Sequence, residues 1–260
     1  MKKREFIYIA VLTLLIAFMD ITGIPGAFFV HIQVADIEPV YFTLMVNFLF
    51  IGAAAYLFLK TLRPAWGLGF RKKGLVDGLK KYGIIGALVA AVGFLAFYVG
   101  LSPFDRQPSI EKVLIEGVVY YIGVAIIEEF YVRGLLLNLI EKMLIKSKNS
   151  TLIAVVLSSV IFGAGHIFGV LNQPLLVVVS KVVWTIGMGM FFGMVYKKTN
   201  NLWLPIMFHF MINVCALPYC FSSINGYADL TLYIVVPVYI ILGIYSFIEL
   251  KQKREISVVG

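Results

Sequence analysis

Seven residues in three short runs have the types and spacings that chemistry needs. Glu128 and Glu129 are adjacent, with Arg133 four residues after the second; Phe162 and His166 are four apart; His209 and Asn213 are four apart. Each run lies in almost uniformly apolar sequence. At membrane depth an ionisable side chain is expensive, and it faces a protein interior or a wet cavity. A spacing of four puts two side chains on one helical face, so Glu129 can pair with Arg133. Glu128 points about 100° away round the helix, free of that pairing and available as a base.

Hydrolysis of a peptide bond needs a base-activated water and donors for the tetrahedral oxyanion. Glu128 can take the proton, His166 can hold and polarise the water, and His209 and Asn213, one above the other, can donate to the oxyanion. The same side chains offer a second chemistry, in which Glu128, His166 and His209 form the His₂Glu set of a catalytic zinc site. Residue type and spacing do not separate the two. The remaining histidine, His31, falls in an outer loop and reads as a solvated side chain. HExxH, GxSxG and GxGD are absent from the chain, so other intramembrane protease chemistries find less support.

These residues need helices to hold them. The chain is 61% hydrophobic and 14% charged, with mean hydropathy +0.94, where a soluble domain carries about 25% charged residues. It reads as an all-α polytopic membrane protein. Eight apolar segments are each near the ~20 residues of a span: residues 6–26, 40–59, 82–101, 113–140, 151–170, 174–196, 202–221 and 230–249. The fourth is longer than a span and is expected to continue beyond the bilayer. The sixth carries Gly187, Gly189 and Gly193, a small-residue seam for close helix approach. The absence of repeats and low-complexity tracts gives one membrane domain, 1–260. The MKKR start before an apolar run has no small-residue cleavage site after it and reads as a retained first helix. Cys215 and Cys220 read as packing residues rather than a disulfide framework.

Of the 22 Lys and Arg, Arg133 and Lys181 lie inside segments, Arg106 and Lys112 lie on one side, and all the others lie on the opposite side. That bias puts both termini in the cytoplasm and explains the net charge of +8 without a nucleic-acid partner. Asp20 is counted with the outer-side charges. The basic, glycine-rich stretch 62–81 is expected on the inner surface, near anionic headgroups. Glu116 and Lys181 are expected either to pair near the outer ends of their segments or to snorkel to the interface. With these boundaries Glu128 sits near mid-membrane, His166 toward the outer end and His209 toward the inner end, so a common site requires tilt or shifted boundaries.

EExxxR, FxxxH and HxxxN, in that order on three apolar segments, resemble the CAAX-protease and bacteriocin-processing family of intramembrane peptidases. The resemblance covers about residues 113–221. It implies an eight-span helical fold with an intramembrane catalytic cavity, and a hydrolase acting on a peptide or protein substrate that enters from the membrane or the cytoplasmic side. It also implies catalysis by Glu128, His166, His209 and Asn213, with Glu129, Arg133 and Phe162 in support. Because Asn213 is a poor zinc ligand and a good oxyanion donor, a metal-free glutamate mechanism is the preferred reading, with one Zn²⁺ as the alternative. A non-catalytic immunity or scaffold protein and an ion-coupled transporter are the rivals from other classes. A transporter built from inverted repeats would show two similar halves, and none is visible. The compact chain points to a prokaryotic plasma membrane.

Overall fold

The structure, a computed structural model, describes residues 3–24, 33–224 and 227–252. His31, Lys2, Lys253 and Arg254 lie outside the described residues. The helices are α1 (Lys3–Thr22), α2 (Pro39–Leu62), α3 (Leu75–Val99), α4 (Ile110–Glu129), α5 (Asn138–Met143), α6 (Ser150–Gly165), α7 (Leu175–Thr199), α8 (Trp203–Cys215) and α9 (Asp229–Lys251). Each of the eight expected segments overlaps one of them, and the fourth, 113–140, overlaps both α4 and α5. The chain is an all-helical polytopic membrane protein, and among the described residues seven helical segments are long and apolar enough to cross a bilayer. The segment that does not qualify is α4, because Glu111, Lys112, Glu116, Glu128 and Glu129 crowd its twenty residues. It packs against α1, α2 and α8, so its charged side chains have protein neighbours to meet.

Three departures from regular α-helix matter for the site. Between α4 and α5 the chain stays helical but widens into a π-helix, Phe130–Leu137. Such stretches are rare and cluster at functional sites because they free backbone carbonyls and re-aim side chains. Here the freed carbonyls are satisfied from outside the ladder. Asn138 Nδ2 donates to Arg133 O at 3.2 Å and to Gly134 O at 2.9 Å, and Trp66 Nε1 donates to Gly134 O at 3.1 Å. The second departure follows α6, where the chain tightens into a 3₁₀ turn, His166–Val170. The third is the 3₁₀ turn Leu217–Phe221 after α8.

Two expectations change here. The stretch 62–81 is not a surface loop along its length. Its second half is already α3, with Lys81 paired to Glu249 of α9 at 2.7 Å. Its first half folds inward, burying Trp66 and Leu68, and Gly69 O accepts from Leu202 N at 3.0 Å. Two apolar side chains in a basic run outweigh the charge around them, since burying each contributes about 1.5–3 kcal/mol. The glycines of α7 form two contact faces rather than one seam. A Cβ at Gly187 would fall on the Tyr239 carbonyl of α9, whereas Cβ atoms at Gly189 and Gly193 would press on Ser159 at 3.1 Å and Val155 at 2.9 Å, both in α6. Residues 187 and 189 are about 200° apart round a helix, so α7 is closely packed on both flanks.

Candidate active site

The π-helical stretch carries Arg133 back over the end of α4. Its Nη1 donates to Glu129 Oε1 at 2.9 Å, its Nη2 donates to Gly189 O at 3.3 Å, and its guanidinium lies 4.7 Å from the Phe162 ring centre and 5.3 Å from that of Phe192. Glu129 and Arg133 are both fully buried. Pairing within the helix is therefore present, but it does not use up Glu129. The same Oε1 stands 2.9 Å from Nδ1 of His209. A carboxylate held by a guanidinium is an acceptor, so His209 Nδ1–H donates to it. The ring is thereby fixed, with Nε2 turned toward Glu128 at 3.6 Å from Oε2. The expected pairing of Glu129 with Arg133 is present, and His209 is a second donor to the same carboxylate. Glu129 joins α4 to α8, and Glu128 and Glu129 flank one imidazole.

His166 sits at the junction of α6 and its 3₁₀ turn. Its Nδ1 is 2.9 Å from Phe162 O. A carbonyl only accepts, so Nδ1 carries the hydrogen and Nε2 keeps its lone pair. The Phe162 ring stands edge-on to His166 at 4.7 Å and to His209 at 6.3 Å, between the two histidines and under Arg133. Asn213 is one turn along α8 from His209, and its side-chain amide makes no hydrogen bond to another described residue. Among buried polar atoms with no protein hydrogen-bond partner are Glu128 Oε2 and Glu129 Oε2.

Glu128, Phe162, His166, His209 and Asn213 line one cavity of about 440 Å³. The depth mismatch reckoned from straight spans disappears because the elements are not straight spans: α6 ends at Gly165, α8 ends at Cys215, and α4 runs on into π-helix. Arg133 and Glu129 lie behind the lining. Among the described residues no three His, Cys, Asp or Glu side chains gather as a metal-ligating group. Glu128, His166 and His209 thus do not form a ligand set as they stand.

Three further findings lie beyond the sequence reading. Asp20 is not an outer-side loop charge: it is in α1, lines the cavity, and accepts a hydrogen bond from Tyr131 Oη at 3.1 Å. An acidic residue inside an apolar segment was the available signal, the same one that singled out Glu128. Glu116 and Lys181 do not pair. Glu116 Oε1 accepts from Glu38 N at 3.0 Å and lies 3.6 Å from Lys112 Nζ, while Lys181 lines the cavity. Tyr120, Tyr121, Tyr131 and Phe168, indistinguishable in sequence from lipid-facing aromatics, also line it.

No curated protein matches the chain. Residues 110–215, from the start of α4 to the end of α8, match a family model, and every catalytic candidate lies within them. That model describes Rce1-like proteins, type II CAAX prenyl endopeptidases, and the match agrees with the resemblance carried by the three motifs.

Proposed function

We propose that this protein is an intramembrane endopeptidase that hydrolyses a peptide bond of a membrane-associated protein or peptide, with water activated by Glu128. The observation that carries the reading is Glu128 Oε2: buried, without a protein hydrogen-bond partner, and 3.6 Å from His209 Nε2 on a cavity that also holds His166 and Asn213. A buried acceptor left unsatisfied costs about 1–3 kcal/mol, a cost that makes sense where a substrate or water is to be bound.

In this mechanism water donates one hydrogen bond to Glu128 and one to His166 Nε2. Its oxygen attacks the carbonyl carbon while its proton passes to Glu128. The oxyanion that forms accepts from the Asn213 amide and from Nε2–H of protonated His209, whose Nδ1–H remains on Glu129. Collapse of the tetrahedral intermediate breaks the C–N bond, and Glu128 returns the proton to the leaving amine. The reading needs no metal. With it goes the proposal of a prokaryotic plasma membrane as the location and of two cytoplasmic termini, the latter in keeping with the Lys and Arg bias.

The test uses purified protein and a farnesylated reporter peptide with a CAAX tail. Glu128→Gln keeps the side chain's shape but cannot take a proton, so cleavage is expected to fall by at least the ~10²–10⁴-fold that a general base contributes, with the melting temperature preserved. Thorough chelation is expected to leave the wild-type rate unchanged. Turnover by Glu128→Gln near the wild-type rate removes the base; loss of activity on chelation, restored by zinc, overturns the metal-free mechanism.

A further inference from the structure

Lys181 is a basic group on the cavity wall to which the proposed mechanism gives no task. It lies on the second turn of α7, half-buried. The expected partner, Glu116, is occupied elsewhere. The cavity's own carboxylates, Glu128 and Asp20, stand beyond the 4.0 Å of an ion pair with it. Its contacts are aromatic: Nζ is 4.7 Å from the Trp184 ring centre and 5.9 Å from that of Tyr227. Those rings, packed edge to face 5.1 Å apart, hold the ammonium in place without neutralising it. A cation kept inside a membrane protein without a direct ion pair is costly, and it sits in the cavity that holds the hydrolytic side chains, where Glu128 feels its charge across the open space.

Resting on the protease reading, we propose that Lys181 binds the free C-terminal carboxylate of the substrate, so that the site selects bonds lying a few residues from a chain end. The walls beside Lys181 are Phe97, Trp184, Tyr219 and Tyr227, which suit apolar side chains. A cavity of about 440 Å³ is within the range for a small ligand, hence for a short peptide end rather than a long segment. An apolar peptide end brings one obligate negative charge, its carboxylate, whereas an internal apolar segment brings none. Lysine suits the task because a compact ammonium on a flexible stem can follow peptide ends of slightly different length.

The experiment compares each probe as free acid and as C-terminal amide. Binding of an unmodified apolar tripeptide to the full chain is measured with wild type, Lys181→Gln and Lys181→Arg, and cleavage of the farnesylated CAAX reporter is measured with the same three proteins. Wild type is expected to bind the acid about tenfold more tightly than the amide, the scale of a charge-assisted hydrogen bond. Lys181→Gln is expected to bring the acid down to the level of the amide, and Lys181→Arg to keep most of the preference. The kcat/KM values of the reporter pair should follow the same order. Equal affinity of wild type for acid and amide overturns the proposal, and this comparison needs no variant to fold. An acid preference that survives Lys181→Gln overturns it as well. A drop in Lys181→Gln that is equal for acid and amide assigns the lysine to a lipid phosphate or to packing, and overturns it too. The binding arm decides on Lys181 even if the reporter is not cleaved, a result that would count against the protease reading alone.

Discussion

Glu128 and Glu129 are neighbours in sequence, both buried, and opposite in their surroundings. Glu129 is enclosed: Arg133 and His209 both donate to one of its oxygens, and the guanidinium is in turn flanked by Phe162, Phe192 and the Gly189 carbonyl. Each carboxylate has an Oε2 that no protein group satisfies, but only Glu128 presents its own on the cavity wall; Glu129 lies behind the lining. The difference is made by about 100° of helix and by the π-helical stretch that carries Arg133. It teaches that the enclosed half fixes geometry and the open half leaves valence for a substrate. His209 belongs to both halves, with Nδ1 in one and Nε2 in the other.

The largest effect on stability should come from breaking the enclosed half. Glu129→Ala strands Arg133 without its ion-pair partner and releases His209 Nδ1. Removing one partner of a buried pair costs about 3–5 kcal/mol, so a fall in melting temperature of many degrees, or loss of the monodisperse peak, is expected. Glu129→Ala/Arg133→Ala should recover much of that stability, because no charge is stranded. It should not recover activity, because His209 is still unanchored. A double variant that regains both would mean that the Glu129–His209 bond has no part in the chemistry. Purification, thermal melts and reporter cleavage of the three variants decide it.

Breaking the open half should do the reverse. Asn213→Ala removes an amide that no described residue uses, so folding should be untouched. Loss of one oxyanion donor costs about 10²–10³ in kcat. The expected result is a rate reduced by that factor at an unchanged melting temperature, with KM little altered. A rate within threefold of wild type would take Asn213 out of the oxyanion site.

The two halves were unequally legible in the sequence. Glu129–Arg133 follows from a spacing of four and needs no knowledge of the fold. The grouping of Glu128, His166, His209 and Asn213 was legible as pattern, since rare polar residues in apolar sequence must face inward. Their common depth was not, because it depends on the π-helix at Phe130–Leu137 and on the ends of α6 and α8. No periodicity in FYVRGLLL announces the widening; it is held by Trp66 and Asn138, one of which comes from a distant basic stretch. That stretch was read by its charge, while Trp66 and Leu68 decide where it goes. Asp20 and Lys181 are visible as charges in apolar runs, but Asp20 reads there as an outer-side charge and Lys181 as a partner for Glu116 or an interfacial side chain.

The smallest expected effect tests whether the π-helical stretch is held by shared support. Gly134 O accepts from both Trp66 Nε1 and Asn138 Nδ2. Trp66→Phe removes one donor yet leaves the carbonyl satisfied, so about 1 kcal/mol is expected, the net value of a single hydrogen bond. The ring face beneath Lys142, 3.6 Å from its ammonium, is kept as an aromatic surface. Asn138→Leu removes the other donor and also the bond from Lys197 Nζ at 2.7 Å, so alone it should cost more. In the double variant Gly134 O has neither donor, and a buried carbonyl without a partner carries the full desolvation penalty. The double variant should therefore lose more stability than the two single losses combined, by about 1–2 kcal/mol, within the range of coupling for groups that share a partner. Catalytic rate should fall only in the double variant, as Arg133 and Glu129 lose their register under His209. Simple additivity in a double-mutant cycle on thermal stability would mean that Trp66 and Asn138 act separately, and that the π-helix owes its persistence to side-chain packing rather than to the carbonyl the two share.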